Sequence, residues 1–262
     1  MAKFLIGSPS LDWITIGSYE YAFRELVELS VLPLIASDEY QSEPGKSLQY
    51  EGFYQVDAFG RAPIFLGTGT QRGKVHHLFR VSGMLADAAF QQLLKLDVNY
   101  NTSRLDVQLT LPPDGELSTA LWQDFNQRQY EYEQGRGPYA RKVTLVTDNG
   151  NGNTLYIGSR KSTRFIRVYQ KDLEDSSLVR LEVELKDTSS KKFLKDVKSQ
   201  TLDKVLYNQL NYVMRTLVST PLLNHHRSCV NSYSAEGVWS EPRIVTSEES
   251  TLLWFAEACV GS

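Results

Sequence analysis

Polar and apolar side chains alternate along three segments in the second half of the chain, which begin at Arg104, Arg164 and Val179. Successive side chains of a β-strand point to opposite faces, so each alternation predicts a strand with one core face and one polar face. The polar positions are Arg104, Asp106, Gln108 and Thr110 on the first segment, Arg167, Tyr169 and Lys171 on the second, and Arg180, Glu182, Glu184 and Lys186 on the third. If the three strands share a sheet, carboxylates, cations and a phenol gather on one face.

These residue types suit metal-assisted phosphoryl transfer, which uses a hydroxyl nucleophile, carboxylates that bind a divalent cation, and basic groups that hold the phosphate. The connection over residues 172–177 is short and polar, so the strands of Tyr169 and Glu182 are expected to form a hairpin whose register the sequence leaves open. A solvated face is the alternative interpretation of the pattern alone. Antiparallel sheets often leave one face to water, with charged pairs across the strands.

The elements that position these residues follow an order that runs twice. Periodicity predicts a first round with strands at residues 11–16, 53–58, 64–66 and 75–81 and helices at 19–35 and 84–96. The second round has strands at 104–111, 142–147, 154–159, 164–171 and 179–186 and helices at 116–133 and 190–218. We therefore predict an α+β fold, a duplicated unit of antiparallel β-sheet covered on one face by helices, with the open polar sheet face carrying the active site. The predicted domains are residues 1–98, 99–220 and a tail with a short helix at 221–262.

Composition limits the class of protein. The 262 residues are 41% hydrophobic and 23% charged, which excludes a disordered, collagen-like or coiled-coil chain. No run of about 18 apolar residues is present, so no membrane partner is expected and a cytoplasmic location is predicted. The net charge of -3 argues against a protein that coats nucleic acid through charge alone, but residues 153–205 hold twelve basic and eight acidic side chains. The basic segment contains two of the three polar strands.

Other motifs do not support a site. Residues 67–74 are rich in glycine, yet Thr68 stands where a phosphate-binding loop needs its first glycine, and Val75 stands where the loop needs Ser or Thr. The adjacent His76 and His77 would point to opposite sides of a strand. The cysteines, Cys229 and Cys259, show neither a disulfide framework nor a metal-binding spacing.

Three runs, at residues 154–160, 164–171 and 180–186, resemble the core motifs of the replication initiators of staphylococcal-type rolling-circle plasmids and related phages, a family that includes relaxases of some conjugative elements. Residues 103–106 are similar to the upstream motif of that family, and residues 11–13 and 80–83 to its N-terminal landmarks. The resemblance spans about residues 10–215. The Arg-x-Tyr-x-Lys run followed by the Arg-Leu-Glu-x-Glu-Leu-Lys run is specific in combination.

The resemblance implies a DNA endonuclease and strand transferase in which Tyr169 is the nucleophile. Tyr169 would attack a backbone phosphate of the replication origin, form a 5'-phosphotyrosine and leave a 3'-hydroxyl primer, with no need for ATP because the covalent link keeps the phosphodiester energy. Lys171 and Arg167 would favour the phenolate and hold the scissile phosphate. Asp106 and Glu182, with Glu184 as a weaker third ligand, would bind Mg²⁺ or Mn²⁺. Thr110 departs from the family pattern, because many relatives carry a second acid there.

The resemblance also indicates the partners. Origin DNA, single-stranded or extruded as a hairpin, would be contacted by basic residues, namely Arg160, Lys161, Arg164, Arg104 and Arg180. A host helicase, a homodimer and the cytoplasm of a bacterial host are further expectations.

Three alternatives stay open at this point. A conjugative relaxase would use the same chemistry. A non-catalytic DNA-binding regulator derived from an initiator would use the sheet face for binding only. A nuclease with metal-activated water would leave Tyr169 as a stacking platform for a base. The joint presence of Tyr169, Lys171, Asp106 and Glu182 favours the tyrosine enzyme.

Overall fold

The computed structural model describes residues 9–36, 40–110, 143–148, 152–173 and 176–217. Ten strands form one antiparallel sheet in the order β2-β3-β4-β5-β1-β6-β10-β9-β8-β7. The strands are β1 (Pro9–Ser18), β2 (Gln41–Ser47), β3 (Tyr50–Val56), β4 (Ile64–Gln71), β5 (Lys74–Ser82), β6 (Asn101–Thr110), β7 (Val143–Asp148), β8 (Gly152–Ile157), β9 (Arg164–Leu173) and β10 (Ser176–Lys186). All neighbouring strands run antiparallel, and six of the nine pairs join strands that are consecutive in the chain.

Helices cover one face of the sheet. They are α1 (Tyr21–Leu26), a π-helical turn (Val27–Val31), α2 (Leu32–Ile35), α3 (Leu85–Leu93), α4 (Asp187–Val197) and α5 (Leu202–Leu217). The apolar positions of the strands, such as Ile14, Leu105 and Val183, join the buried faces of the helices in one core. The rings of Phe90 in α3 and Phe193 in α4 meet within that core, with 5.9 Å between their centroids. No described helix is long and apolar enough to cross a membrane.

The two halves of the sheet repeat one arrangement. In the first half, β1 lies next to β5, and β4, β3 and β2 follow outwards. In the second half, β6 lies next to β10, and β9, β8 and β7 follow outwards in the same way. Because β1 pairs antiparallel with β6, the halves are related by an approximate two-fold axis between these strands. The predicted α+β fold with a duplicated sheet is confirmed. The domain bounds stay a prediction, and the helix predicted at 116–133 and the tail at 221–262 lie outside the described residues.

Edge strand β2 was not predicted from the sequence. Its seven residues include Pro44 and Gly45, and each is exposed or partly exposed, so the segment has no apolar alternation. Proline and charged residues are tolerated on an edge strand, where one row of backbone groups needs no partner. The hydrophobic pattern therefore could not reveal this strand.

The helix predicted at residues 190–218 is two helices. The segment between α4 and α5 holds Ser199 and Thr201, and the Ser199 hydroxyl donates a hydrogen bond of 3.0 Å to the carbonyl of Asp196. Serine and threonine side chains offer the backbone such local alternatives to helical bonds. The first predicted helix continues through Pro33, since this proline occupies the first turn of α2, where its missing N–H is not needed.

A partly buried carboxylate couples α3 to β1 and makes stability depend on pH. Asp87 accepts a hydrogen bond of 2.8 Å from the backbone N–H of Leu11, and burial raises the pKa of Asp87 from its ordinary value to about 6. The folded protein therefore binds this proton more tightly than the unfolded chain, so stability is lost as the pH rises from about 4 to about 6.

We expect Asp87→Asn, which keeps the acceptor oxygen without the charge, to stabilise the protein at pH 7.5 by about 1–2 kcal/mol and to have little effect near pH 3.5. Urea unfolding at both pH values measures the difference. A variant that is equally or less stable at pH 7.5 would contradict this account of Asp87.

Candidate active site

The polar faces of β6, β10 and β9 are adjacent, with β10 in the middle. Asp106 pairs with Glu184 across β6 and β10, whereas Glu182 pairs with Arg167 across β10 and β9. Tyr169 pairs with Arg180 on the same two strands. All these side chains lie on the face opposite the helices, because the intervening apolar residues fill the core.

Tyr169 is hydrogen-bonded to an acid. Its hydroxyl donates to Oε1 of Glu182, which is only 2% exposed. Burial, together with the negative charge of Glu182, raises the pKa of Tyr169 well above its ordinary value. Burial also raises the pKa of Glu182, and the neighbouring Arg167 opposes that shift. The Tyr169 hydroxyl therefore has a proton acceptor in direct contact, and its raised pKa keeps it neutral in this environment.

Arg167 joins two acids across three strands. Its Nη2 atom lies 2.9 Å from Oδ2 of Asp106 and 2.6 Å from Oε2 of Glu182. Asp106, 1% exposed, is held from the other side by Arg104, whose Nε and Nη2 atoms contact the two carboxylate oxygens at 2.8 and 2.6 Å. Burial raises the pKa of Asp106, while the two arginines oppose the shift. The Arg167 Nε atom is buried without a hydrogen-bond acceptor within the described part of the chain.

The carboxylates of Asp106 and Glu182 offer oxygen donors that fit a hard divalent cation. One oxygen from each converges on the Nη2 atom of Arg167, so a positive charge already lies between them. Glu184 is directed elsewhere, to Lys186 Nζ at 2.7 Å and Arg104 Nη2 at 3.4 Å. Within the described ranges, no three acidic, histidine or cysteine side chains are grouped as a metal site. The residues thus fit a two-carboxylate site better than the three-ligand set expected from the sequence.

The sequence-based search did not identify Asp12 as a site residue. Asp12 lies on β1, and its Oδ1 atom is 3.4 Å from Nη1 of Arg180. Its negative charge also raises the pKa of both Tyr169 and Glu182. The signal in the sequence is the pair Asp12-Trp13, which interrupts the apolar alternation of β1, and a register shift between β1 and β6 lies there.

The prediction that Arg180 contacts DNA is wrong, because this residue is internal. Its side chain is 1% exposed, and its Nε atom donates to Thr110 Oγ1 at 3.1 Å while Nη1 faces Asp12. A side chain so enclosed cannot reach a DNA phosphate in this structure. Thr110, which departs from the family pattern, is thus the hydroxyl partner of this buried arginine.

The other predicted basic residues near β9, Arg160, Lys161 and Arg164, lie at the start of that strand, and Arg164 pairs with the core residue Leu185, so its side chain belongs to the helix-covered face. Arg160 and Lys161 are exposed in the turn before β9, and Arg164 is partly exposed at its first residue. The guanidinium of Arg160 lies over the Tyr156 ring, 5.4 Å from its centroid, and Lys186 Nζ donates to the Arg160 carbonyl at 2.5 Å. The side chain of Lys171 lies outside the description, although its backbone belongs to β9.

Comparison with known proteins agrees with this geometry. Residues 104–233 match the model of the replication initiation factor family, and the match begins at Arg104 and includes Asp106, Tyr169 and Glu182. Residues 104–233 belong to this family. The matched residues contain the strands of the candidate active site, so the family resemblance and the geometry concern the same part of the protein.

Solved structures extend the comparison to the fold. The rolling circle replication initiator protein from Geobacillus stearothermophilus matches with a TM-score of 0.55 and 16% identity, over 86% of this chain and 97% of that one. This likeness shows a shared fold across both halves of the sheet. A second match, to DynU16, a protein of the dynemicin biosynthetic locus, has a TM-score of 0.20 and 11% identity over 84% of this chain and 99% of that one, too low to compare folds. No curated protein matches the chain significantly.

Proposed function

We propose that the protein initiates rolling-circle replication by nicking and rejoining one DNA strand through a 5'-phosphotyrosine on Tyr169. The observation that carries the proposal is the hydrogen bond from the Tyr169 hydroxyl to Glu182, beside the Arg167–Asp106 pair. A nucleophile, a proton acceptor and a cation thus lie together on one sheet face, which is the arrangement that phosphoryl transfer to a side chain requires.

In the proposed nicking step the Tyr169 oxygen attacks the scissile phosphorus. The phenolic proton passes to Glu182, the new bond joins the tyrosine oxygen to phosphorus, and the bond from phosphorus to the 3'-oxygen breaks. The departing 3'-oxygen takes a proton from solvent and becomes the 3'-hydroxyl primer. Rejoining runs the same exchange in reverse, so no external energy source is consumed. Arg167, next to both Glu182 and Tyr169 on the sheet, is placed to balance the negative charge of the phosphate.

A divalent cation is part of the proposal. Asp106 and Glu182 would hold Mg²⁺ or Mn²⁺, which would supply Lewis-acid stabilisation of the phosphate charge. Binding there requires the Arg167 guanidinium to leave the position between the two carboxylates, where it could instead contact the incoming phosphate. Arg167 would then exchange two carboxylate contacts for one phosphodiester contact, a bidentate pairing that guanidinium groups favour.

The test uses single-stranded oligonucleotides from the native replicon, labelled at the 5' or 3' end, with Mn²⁺ or with EDTA. We expect a protein-linked band on a denaturing gel that carries only the label 3' of the nick and disappears in EDTA. Binding without an adduct would indicate the non-catalytic regulator. Cleavage into two free fragments would indicate the hydrolytic nuclease, and nicking at a transfer origin would indicate the relaxase. A helicase partner, a homodimer and a bacterial cytoplasmic location stay predictions.

Origin binding should depend on the exposed turn before β9. The double change Arg160→Gln and Lys161→Gln removes two positive charges from a turn that Lys186 ties to the active face. We expect affinity for single-stranded DNA to fall about tenfold at low salt. The negative slope of log affinity against log salt should become less steep by about 1.4, the value for two phosphate contacts. Fluorescence anisotropy across a salt series measures both quantities.

The matched control for this variant is Lys192→Gln. Lys192 lies on α4, on the helix-covered side, and is paired with Asp196 at 2.7 Å. Its replacement should leave both affinity and salt slope unchanged. An equal loss in the control and in the double variant would mean that the turn makes no specific contact.

A further inference from the structure

The two-fold relation between the halves can be followed residue by residue. Ile14 pairs with Leu105 at the centre of β1 and β6, and the pairs on either side are mirrored, since Trp13 faces Asp106 and Thr15 faces Arg104. Each strand also has one residue that the register skips, two positions before its central residue. This residue is Asp12 on β1 and Ser103 on β6. Thr15 is therefore the counterpart of Asp106, and Trp13 is the counterpart of Arg104.

The relation holds further from the axis. Thr15 pairs with Arg80 and Arg80 with Phe65, just as Asp106 pairs with Glu184 and Glu184 with Phe165. The backbone bond from Ser82 N–H to the Pro63 carbonyl, 2.9 Å, has its counterpart between Lys186 and Thr163, 2.8 Å. Gly83 and Asp187, which follow these strands, both have a left-handed backbone, with φ of 69° and 46°. Phe65 thus corresponds to Phe165, and Arg80 to Glu184.

The chemistry of the two faces differs at these matched positions. Where the second half has the acids Asp106 and Glu184, the first half has Thr15 and Arg80. Gly67 and Gly69 stand at the places of Arg167 and Tyr169, as counted from the β4–β5 and β9–β10 registers. The first half has no counterpart of the nucleophile or of the acids. Its face instead combines an arginine with aromatic rings.

We define the aromatic–arginine site as Trp13, Tyr54, Phe65 and Arg80. The Arg80 guanidinium carbon lies 5.4 Å from the Trp13 ring centroid, 5.8 Å from that of Tyr54 and 5.4 Å from that of Phe65. Trp13, Tyr54 and Arg80 are partly exposed, whereas Phe65 is fully buried beneath them. A Cβ atom at Gly67 would lie 2.6 Å from the Phe65 ring, so glycine is needed for the ring to lie across this strand.

Arg80 differs from five other arginines around the sheet. Arg24, Arg61, Arg104, Arg167 and Arg180 each contact a carboxylate. Within the described residues Arg80 forms no ion pair, and its one hydrogen bond of 3.1 Å is to the Ser47 hydroxyl. A partly exposed guanidinium held by rings and a hydroxyl is suited to an anion supplied by a ligand.

We infer that the aromatic–arginine site binds single-stranded DNA next to the active site, with bases stacked on Trp13 and Tyr54 and a backbone phosphate on Arg80. Stacking rings beside a cation are the common features of single-strand binding surfaces. The site is continuous with the active site through Arg104, which lies 4.6 Å from the Trp13 centroid and also binds Asp106. The identity of the ligand rests on the proposed function, because a DNA-nicking enzyme must hold the strand beside its active site.

The test measures binding in a Tyr169→Phe background with EDTA, so that nicking plays no part. The probe is a fluorescein-labelled oligothymidylate of about 20 nucleotides, long enough to cross one binding face. We expect Trp13→Ala to weaken binding about tenfold with an unchanged salt slope. Arg80→Gln should weaken binding about fivefold and reduce the slope by about 0.7, the value for one phosphate contact on a single strand.

Two further variants control the experiment. Arg24→Gln removes an arginine from the helix-covered side, and should change affinity less than about twofold. Trp13→Phe keeps a ring and should retain most of the affinity. If Trp13→Ala lowers the melting temperature, its loss of affinity could come from unfolding. The test of the binding site is then the change in salt slope caused by Arg80→Gln. Binding by both Trp13→Ala and Arg80→Gln equal to that of the parent would overturn the inference.

The inference and the proposed function can fail separately. If the wild-type protein forms no adduct on origin DNA, but its oligothymidylate binding depends on Trp13 and Arg80, the proposed chemistry is contradicted and the binding site is supported. If the protein forms the adduct, but its binding is unchanged by replacement of either residue, the proposed chemistry is supported and the binding site is contradicted.

Discussion

Tyr169→Phe is expected to abolish the covalent protein–DNA adduct, with the nicking rate falling by about 10⁴-fold or more. The change removes a single oxygen atom, the one that donates to Glu182 and that would attack the phosphate. The ring remains in place between β8 and β10, so the fold and DNA binding should be kept. The measurement is the metal-dependent adduct assay, with anisotropy as the check on binding.

Tyr156→Phe is the matched control. Tyr156 lies on the adjacent strand, opposite Arg167, and its ring stacks on Phe165 at a centroid distance of 5.6 Å. Loss of its hydroxyl should change the nicking rate by less than about threefold, since no acidic side chain within the described residues is hydrogen-bonded to it. Strand cleavage that survives in Tyr169→Phe would instead support the hydrolytic nuclease.

Glu182→Gln is expected to lower the rate of adduct formation by about 10²–10⁴-fold, the range typical for loss of a general base. The amide can still accept the Tyr169 hydrogen bond, but cannot take its proton. The change also removes one of the two carboxylates that would hold the cation and leaves Arg167 with Asp106 alone. Single-turnover kinetics at saturating DNA isolates this step from binding.

The pH dependence of the rate separates the roles of Glu182. As a proton acceptor Glu182 must be ionised, so the wild-type rate should fall as the pH decreases through the pKa of this carboxylate. That acidic limb should disappear in Glu182→Gln. A limb that is unchanged in the variant would mean that another group takes the proton.

Glu184→Gln offers a comparison on the same strand and the same face. Glu184 contacts Lys186 and Arg104 rather than Tyr169. We therefore expect a loss of less than about tenfold and an unaltered pH profile. Equal losses in Glu182→Gln and Glu184→Gln would argue that the sheet face needs its net charge and not a particular acceptor.

Periodicity was sufficient to predict the strands of the site. Val107, Val168 and Val183 point into the core, so the residues between them had to lie together on the other face, whatever the register. The sequence could not supply the contacts. The hydrogen bond between Tyr169 and Glu182 depends on the β9–β10 register and on rotamers, neither of which alternation determines.

Burial of the charged residues was the main difference from expectation. The polar face was expected to be open, yet Asp106 and Glu182 are 1% and 2% exposed, beneath the arginines that neutralise them. Alternation of polar and apolar residues predicts the sheet face on which a side chain lies. It does not predict how many neighbouring side chains cover that side chain. Arg180 was expected to contact DNA for the same reason, and its pairing with Asp12 involves two residues 168 positions apart.

The aromatic–arginine site could not be recognised before the strands were paired. Trp13 and Arg80 lie in the two N-terminal landmarks of the family resemblance, but no sequence pattern connects them with Tyr54, which lies on a third segment. Only the registers of β1, β3, β4 and β5 bring them together, and only the two-fold axis shows that Trp13 and Arg80 correspond to Arg104 and Glu184 of the candidate active site. Long-range pairing of this kind carries no local sequence signal.

The nucleophile is tested most directly by locating the DNA on the protein chain. The adduct formed with a short origin oligonucleotide in Mn²⁺ is digested with nuclease and protease, and the peptide that retains a nucleotide is sequenced by tandem mass spectrometry. The account predicts one modified peptide, with the 5'-phosphate of the nucleotide on the Tyr169 oxygen. A nucleotide on any other residue, or cleaved DNA with no modified peptide, would contradict it.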